Sequence, residues 1–167
     1  GRAKIGLAML ATMRGIPQIF YGEEMMLCSA DLSQGHGGLR IDFPGGWAGD
    51  KVNLLTAEGR KGQHKELFDF SSRLLNWRKS KEVIHNGETM HFMTRDNTYA
   101  YFRYNDTDAV FVYINNSDQT KTIPWSNYAE IAASLKDGRC VITGQDAVVD
   151  NTTKVAPHSV IIVEYKR

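Results

Sequence analysis

The feature that most constrains this chain is a change of hydrophobic period near residue 80. Before it, Leu67, Phe70, Leu74 and Trp77 recur at helical spacing, with Lys65, Glu66, Asp69, Arg73 and Lys79 elsewhere around the wheel. This predicts an amphipathic helix over residues 63–80 whose apolar stripe is covered, with Arg78, Lys79 and Lys81 suited to the negative end of its dipole. From Val83 onward the period is strand-like and turn residues multiply, so a domain boundary is placed between residues 82 and 83.

The second segment, residues 83–167, reads as all-β. Thr89 to Thr94, Tyr99 to Tyr104 and Ala109 to Asn115 are strands joined by the polar turns Arg95-Asp96-Asn97 and Asn105-Asp106-Thr107-Asp108, which predicts an antiparallel meander. Thr120 to Ile123 continues the pattern until Pro124, and Tyr128 to Leu135 reads as one or two helical turns before a turn at Asp137-Gly138. Arg139 to Ile142, Ala147 to Val149, Lys154-Val155 and Ser159 to Tyr165 bring the count to about seven or eight strands, that of a Greek-key sandwich. Alternating aromatics such as Tyr101, Phe102, Phe111 and Tyr113 are what the interior of a sandwich packs with.

The first segment, residues 1–82, opens with a helix over residues 3–14, apolar almost all round apart from Lys4 and Arg14, which expects cover on several sides. Gly15 stops it. Ile16 to Tyr21 has the length and composition of a strand buried on both faces, and Gly22 turns the chain sharply before Glu23 and Glu24. Residues 22 to about 60 carry glycines at 35, 37, 38, 45, 46, 49 and 59, with another just beyond at 62, so no long element fits there. Within that loop Arg40, Asp42, Phe43 and Trp47 place a cation, a carboxylate and two aromatic faces within eight positions, chemistry suited to gripping sugar hydroxyls and stacking on pyranose rings. The plainer alternatives are a surface Arg–Asp ion pair and aromatics that only anchor the loop.

The wording of these stretches is more specific than their periodicity. Gly15-Ile16-Pro17-Gln18-Ile19-Phe20-Tyr21-Gly22-Glu23-Glu24 resembles the G-x-P-x-x-Y-Y-G-x-E signature at the eighth barrel strand of the α-amylase family of glycoside hydrolases, with Phe20 in place of the first tyrosine. Leu39-Arg40-Ile41-Asp42-Phe43-Pro44-Gly45-Gly46-Trp47 is similar to the R-x-D-F-P-G-G-W loop of the neopullulanase and cyclomaltodextrinase branch. Leu74-Leu75-Asn76-Trp77-Arg78-Lys79 is similar to the end of the last barrel helix. The resemblance implies the last α-β-α elements of a (β/α)8 barrel over 1–82, followed by the family's C-terminal sandwich over 83–167.

It also implies a parent that hydrolyses α-1,4 or α-1,6 glucosidic bonds in maltodextrin, cyclodextrin or pullulan. Substrate contacts fall to Arg40, Asp42, Phe43 and Trp47, and neither a cofactor nor a metal is required. Retaining glycosidases need two carboxyl groups flanking the scissile bond. The family's catalytic motifs precede the helix with which this chain opens, and Glu23 and Glu24 match the eighth-strand signature instead. No catalytic residue is therefore expected in this chain, which reads as the C-terminal piece of its enzyme. The competing reading is a non-catalytic carbohydrate-binding or structural sandwich.

Composition excludes other classes. A formal net charge of +1 gives no field for nucleic acid or an anionic membrane. The five histidines show no pair at metal-ligand spacing, and Cys28 and Cys140 make no disulfide framework. Gly35-His36-Gly37-Gly38 lacks the strand-to-helix context and lysine of a phosphate cradle. The triplets at Asn105, Asn115 and Asn151 match the glycosylation pattern without deciding anything. Gly1-Arg2-Ala3-Lys4 opens directly into a helix-like pattern and is not expected to be a signal peptide, and the family resemblance favours a bacterial periplasmic parent over a cytoplasmic one. Residues 1–60, deprived of barrel neighbours, are expected either to repack against the sandwich and the 63–80 helix or, the favoured outcome, to pair between copies into a homo-oligomer.

Overall fold

The computed structural model describes residues 1–29, 31, 33, 35–150 and 152–167. The chain divides into two compact units, Gly1–Pro17 with Arg73–Arg167, and Gln18–Ser72.

The larger unit is built on one antiparallel sheet. Strands β1 (Glu88–His91), β2 (Thr98–Tyr104) and β3 (Asp108–Asn115) form the expected meander, and β8 (Ser159–Lys166), β5 (Lys136–Cys140) and β6 (Asp146–Ala147) extend it in the order β1-β2-β3-β8-β5-β6. A second, two-stranded ladder pairs β4 (Lys121–Thr122) with β7 (Lys154–Val155). The eight strands among the described residues therefore divide six and two. Asp118, Gln119 and Thr120 before β4 and Pro124 after it leave that strand two residues long, too short to build an equal second layer.

Register explains the two buried faces. Phe102 lies opposite Phe111, which lies opposite Val163, and Ala100 opposite Tyr113 opposite Ile161. These side chains share one face with Trp125, Tyr128, Ile131, Ile123 and Val155, which come from the small ladder, a 3₁₀ turn at Trp125–Tyr128 and helix α4 (Ala129–Ala132). Phe111 is at its centre, 4.6 Å from the rings of both Phe102 and Trp125. The alternate residues of β2, β3 and β8 face the other way and meet helices: Thr12 of α1 (Arg2–Thr12) bonds Tyr101 at 2.6 Å, and Trp77 donates to Glu164 at 2.9 Å. Covered on both sides, β3 is buried from Ala109 to Asn115, the reason it reads as an unbroken apolar run rather than an alternation.

The helix expected over 63–80 spans Gly62–Arg78 (α2), and Leu67, Phe70 and Leu74 are buried while Trp77 is half-buried. A four-residue helix α3 (Glu82–His85) links it to β1.

Two expectations fail. Ile16 to Tyr21 forms no strand: the run has no ladder partner among the described residues, Pro17 cannot donate to one, and Ile16 is 95% exposed. Apolar sequence alone does not hold a strand whose backbone groups find no edge to pair with. Asp137-Gly138 is not a turn between elements but part of β5, at an irregularity between Lys136 and Arg139, with Asp137 at φ 48°. Gly138 is needed there by close approach, since a Cβ would stand 2.0 Å from the carbonyl oxygen of Ala147.

Both cysteines are free, Cys28 exposed and Cys140 half-buried. Asn115 of the second glycosylation triplet is fully buried, and Asn151 of the third lies outside the described residues. No helix among the described residues is long and apolar enough to cross a membrane.

Candidate functional site

The smaller unit carries the loop in which the candidate site residues lie. It begins with a tight reversal: Gly22, at φ 87°, leads into a 3₁₀ turn at Glu23–Met25. Glu23 folds back so that its Oε2 accepts from the Phe20 amide at 3.2 Å. This displays the Phe20 and Tyr21 rings side by side, centroids 4.5 Å apart and tilted by 41°, each a little under half exposed. The Tyr21 hydroxyl donates to the Ile41 carbonyl at 2.9 Å, which ties the turn to the Arg40–Trp47 stretch. Between them lies a cavity of about 380 Å³ lined chiefly by Phe20, Tyr21, Glu23, Leu27, Arg40 and Ile41.

The four predicted residues separate. Arg40 lines the cavity, its backbone amide bonded to Gly37 and its Nη1 donating to the His36 carbonyl at 3.3 Å. It makes no ion pair with Asp42, whose exposed carboxylate has no partner among the described residues. Asp42, half-buried Phe43 and Trp47 are not among the cavity's lining residues.

Trp47 stands on a neighbouring loop that closes on itself. Asp50 Oδ2 accepts from the amides of Gly45 at 2.7 Å and Trp47 at 3.3 Å, and the Leu54 amide donates to Pro44 O at 2.8 Å. Gly45 is obligatory in this closure, because its φ is 126° and a Cβ would meet Asn53 Oδ1 at 2.3 Å. Arg60 staples the loop's far end through the carbonyls of Leu54 and Leu55 while its guanidinium lies 3.9 Å over the Phe68 ring. The indole of Trp47 is left 71% exposed on this fixed support.

Phe20 and Tyr21 are cavity-lining residues that residue-by-residue reading misses, because it assigns them to a buried strand. Their signal is the aromatic pair of the G-x-P-x-x-Y-Y-G-x-E pattern, which the structure places on a surface. Aromatic faces with a guanidinium and a carboxylate form a polar, ring-stacking surface. Among the described residues that line the cavity, Glu23 supplies a carboxylate and Arg40 a guanidinium. No group of three or more metal-ligating side chains occurs among the described residues.

Residues 89–164, from β1 through β8, match the family described as the cyclo-malto-dextrinase C-terminal domain. The whole chain is similar in fold to AmyP in complex with maltotriose (TM-score 0.69, 19% identity, 97% of this chain and 34% of that one). It is similar as well to an Anoxybacillus α-amylase (TM-score 0.62, 18% identity, covering 98% and 32%) and to MutB in complex with sucrose (TM-score 0.65, 15% identity, covering 98% and 38%). The chain thus spans about a third of the length of these proteins. Over residues 89–164 the chain is similar to the cyclo-malto-dextrinase C-terminal domain family, and it shares its fold with part of each of these larger proteins.

Proposed function

We propose that this chain serves as the C-terminal part of a retaining α-glucan hydrolase of neopullulanase or cyclomaltodextrinase type, acting on α-1,4 or α-1,6 bonds of maltodextrin, cyclodextrin or pullulan. In this reading residues 1–82 belong with the catalytic barrel and residues 83–167 form the domain that closes it. The observation that carries the proposal is the family match over 89–164, joined to an exposed aromatic and arginine-bearing surface at the position the sequence signature assigns to the barrel's eighth strand.

Arg40, Asp42, Phe43 and Trp47 contact glucan, and Phe20 and Tyr21 extend that surface. An aromatic face covers the apolar side of a pyranose ring, and Arg40 and Asp42 supply charge-assisted bonds to hydroxyls. The hydrolytic carboxylates lie elsewhere in the enzyme, and this chain positions substrate without cleaving it. The uncovered Ile16 segment makes pairing between copies the expected state of the isolated chain.

A reducing-sugar assay of the purified chain on pullulan, starch and cyclodextrin tests the division of labour. No turnover above blank is expected. Activity that persists through purification to constant specific activity, and that falls on substitution of Glu23, Glu24 or Asp42, would overturn it.

A further inference from the structure

Where β1 ends, the chain bows away from β2. The Phe92 amide still donates to the Ala100 carbonyl at 3.1 Å, but Met93, 80% exposed, and Thr94 have no ladder partner among the described residues. The chain returns at a tight turn that is fixed in place. The Arg95 amide donates to Thr98 O at 3.2 Å and the Thr98 amide to Arg95 O at 2.7 Å, while Asp96 and Asn97 take left-handed φ values of 48° and 58°. The Asn116 amide holds the Asn97 carbonyl at 2.9 Å. A cavity of about 460 Å³ separates this bow from Lys121, Thr122, Pro124 and the 3₁₀ turn, a volume in the range of small-molecule sites.

The floor of the cavity is aromatic. Ala100 and Tyr113 line it from paired positions of β2 and β3, and the Phe92 ring stands edge-on to Tyr128, centroids 4.8 Å apart at 74°. Tyr128 is 5% exposed, and its hydroxyl has no hydrogen-bond partner among the described residues. Unlike the Tyr165 hydroxyl it is not sealed from solvent, so it is open to the cavity that Tyr128 lines. Burial raises the pKa of Tyr128, and at neutral pH the hydroxyl is a protonated donor.

The rim offers side chains with nothing else to bond. Arg95 and Lys121 bring cations, Asp96 a carboxylate and Asn127 an amide, and none of the four side chains has a bonded partner among the described residues. This mixture selects the ligand. A small ion is disfavoured where both signs of charge stand together, and an aliphatic ligand would leave these groups unpaired against it. A pyranose ring suits both layers. Its C–H face covers an apolar floor, and its hydroxyls donate to a carboxylate while accepting from guanidinium, ammonium, amide and phenol.

We propose that this cavity is a second saccharide-binding site, taking one pyranose ring of a neutral oligosaccharide, with the Tyr128 hydroxyl as the buried contact and Arg95, Asp96 and Asn127 closing on the sugar from the rim. It lies in the larger unit, the Arg40–Trp47 surface lies in the smaller, and neither reading requires the other.

Titration of the isotope-labelled full chain with maltose, and separately with cellobiose, followed residue by residue by heteronuclear NMR, tests the site. With at least one of them, amide resonances of residues 92–100 and 121–128 and the Asn127 side-chain amide move, with half-saturation at millimolar saccharide. Resonances of residues 20–47 report the other surface in the same spectra, so the failure of either reading is seen apart from the other. Tyr128→Phe removes an oxygen that bonds nothing in the free protein. It leaves the melting temperature unchanged and weakens binding about three- to tenfold, the worth of one hydrogen bond. Asn127→Ala, at an exposed position, weakens binding to a similar degree and decides the matter if Tyr128→Phe fails to fold. Resonances that stay still in both disaccharides at hundreds of millimolar, or half-saturation unchanged in both variants, overturn the proposal. Movement with sodium benzoate and with neither disaccharide assigns the cavity to an organic anion and overturns it as well.

Discussion

Asn115 offers a sharp test of the packing at the end of β3. Its side chain is fully buried, and Nδ2 donates to the carbonyls of Gln119 at 2.7 Å and of Val155 and Ala156 at 3.0 Å, while Oδ1 accepts from the Ser117 amide and hydroxyl. Three carbonyls fix the orientation of the amide, because they only accept. Asn115→Asp keeps the shape and replaces the donor with an oxygen. Protonated, the acid returns one donor, so at low pH the cost is that of one or two unsatisfied carbonyls, about 1–3 kcal/mol. Ionised, it faces three carbonyl oxygens as a buried charge, and the total reaches about 3–5 kcal/mol.

The folded-state pKa of this aspartate must therefore lie above the unfolded value near 3.9. Stability relative to the parent is best below about pH 4. It is lost at up to about 1.4 kcal/mol per unit as pH rises toward the folded pKa, and then levels. Asn115→Ala, which cannot titrate, costs about 2–3 kcal/mol at every pH. At roughly 2–4 °C per kcal/mol, Asn115→Asp melts about 6–20 °C below the parent at neutral pH. Far-UV circular dichroism melts between about pH 4 and 8 supply the comparison. Parallel pH profiles for the aspartate and alanine variants, or a neutral-pH loss under about 1 kcal/mol, would refute the assignment of those three bonds.

Two further outcomes are expected. Gly138→Ala drives a Cβ against the Ala147 carbonyl and the Tyr165 ring, so it costs about 1–3 kcal/mol and selectively loosens amide protection across the β5–β6 pair, whereas unchanged protection there would count against the close approach. Burial raises the phenol pKa of Tyr101 to about 12 and raises those of Tyr128 and Tyr165 as well. The unfolded chain ionises these groups near pH 10, so stability falls as pH rises past about 10, and their phenolate absorbance appears only as the sheet signal is lost. Ionisation of all seven tyrosines near the ordinary value in a still-folded protein would contradict this.

The meander from β1 to β3 was legible in the sequence because its strands are separated by turns of Asp, Asn and Thr and its apolar residues must face a core. The Arg2–Thr12 and Gly62–Arg78 helices were legible for the same reason at a different period. What failed depends on neighbours. Ile16–Tyr21 has a strand's composition, but a strand is made by the edge beside it. Asp137-Gly138 has a turn's composition, but an irregular ladder accepts a left-handed Asp and a residue without Cβ.

The candidate site was half legible. Arg40 lines a cavity and Trp47 is displayed, yet the pairing of Phe20 with Tyr21 against Ile41 depends on a fold-back at Glu23 that no local pattern announces. Arg103 of β2 is buried and gives no sign of it either, since an arginine in an alternating strand reads as solvent-facing until helices are found covering that face.

The central claim, that the exposed surface around Arg40 and Trp47 meets glucan, is tested most directly by collisional quenching of tryptophan fluorescence with and without maltotriose or β-cyclodextrin. Trp47 is 71% exposed whereas Trp125 is buried and Trp77 half-buried with its indole N–H bonded, so an aqueous quencher reads Trp47 above the other two. Saccharide at millimolar concentration is predicted to shield the quenchable component, with the shielding lost in Trp47→Phe and weakened in Arg40→Ala. Quenching indifferent to either saccharide up to the limit of solubility would contradict the account.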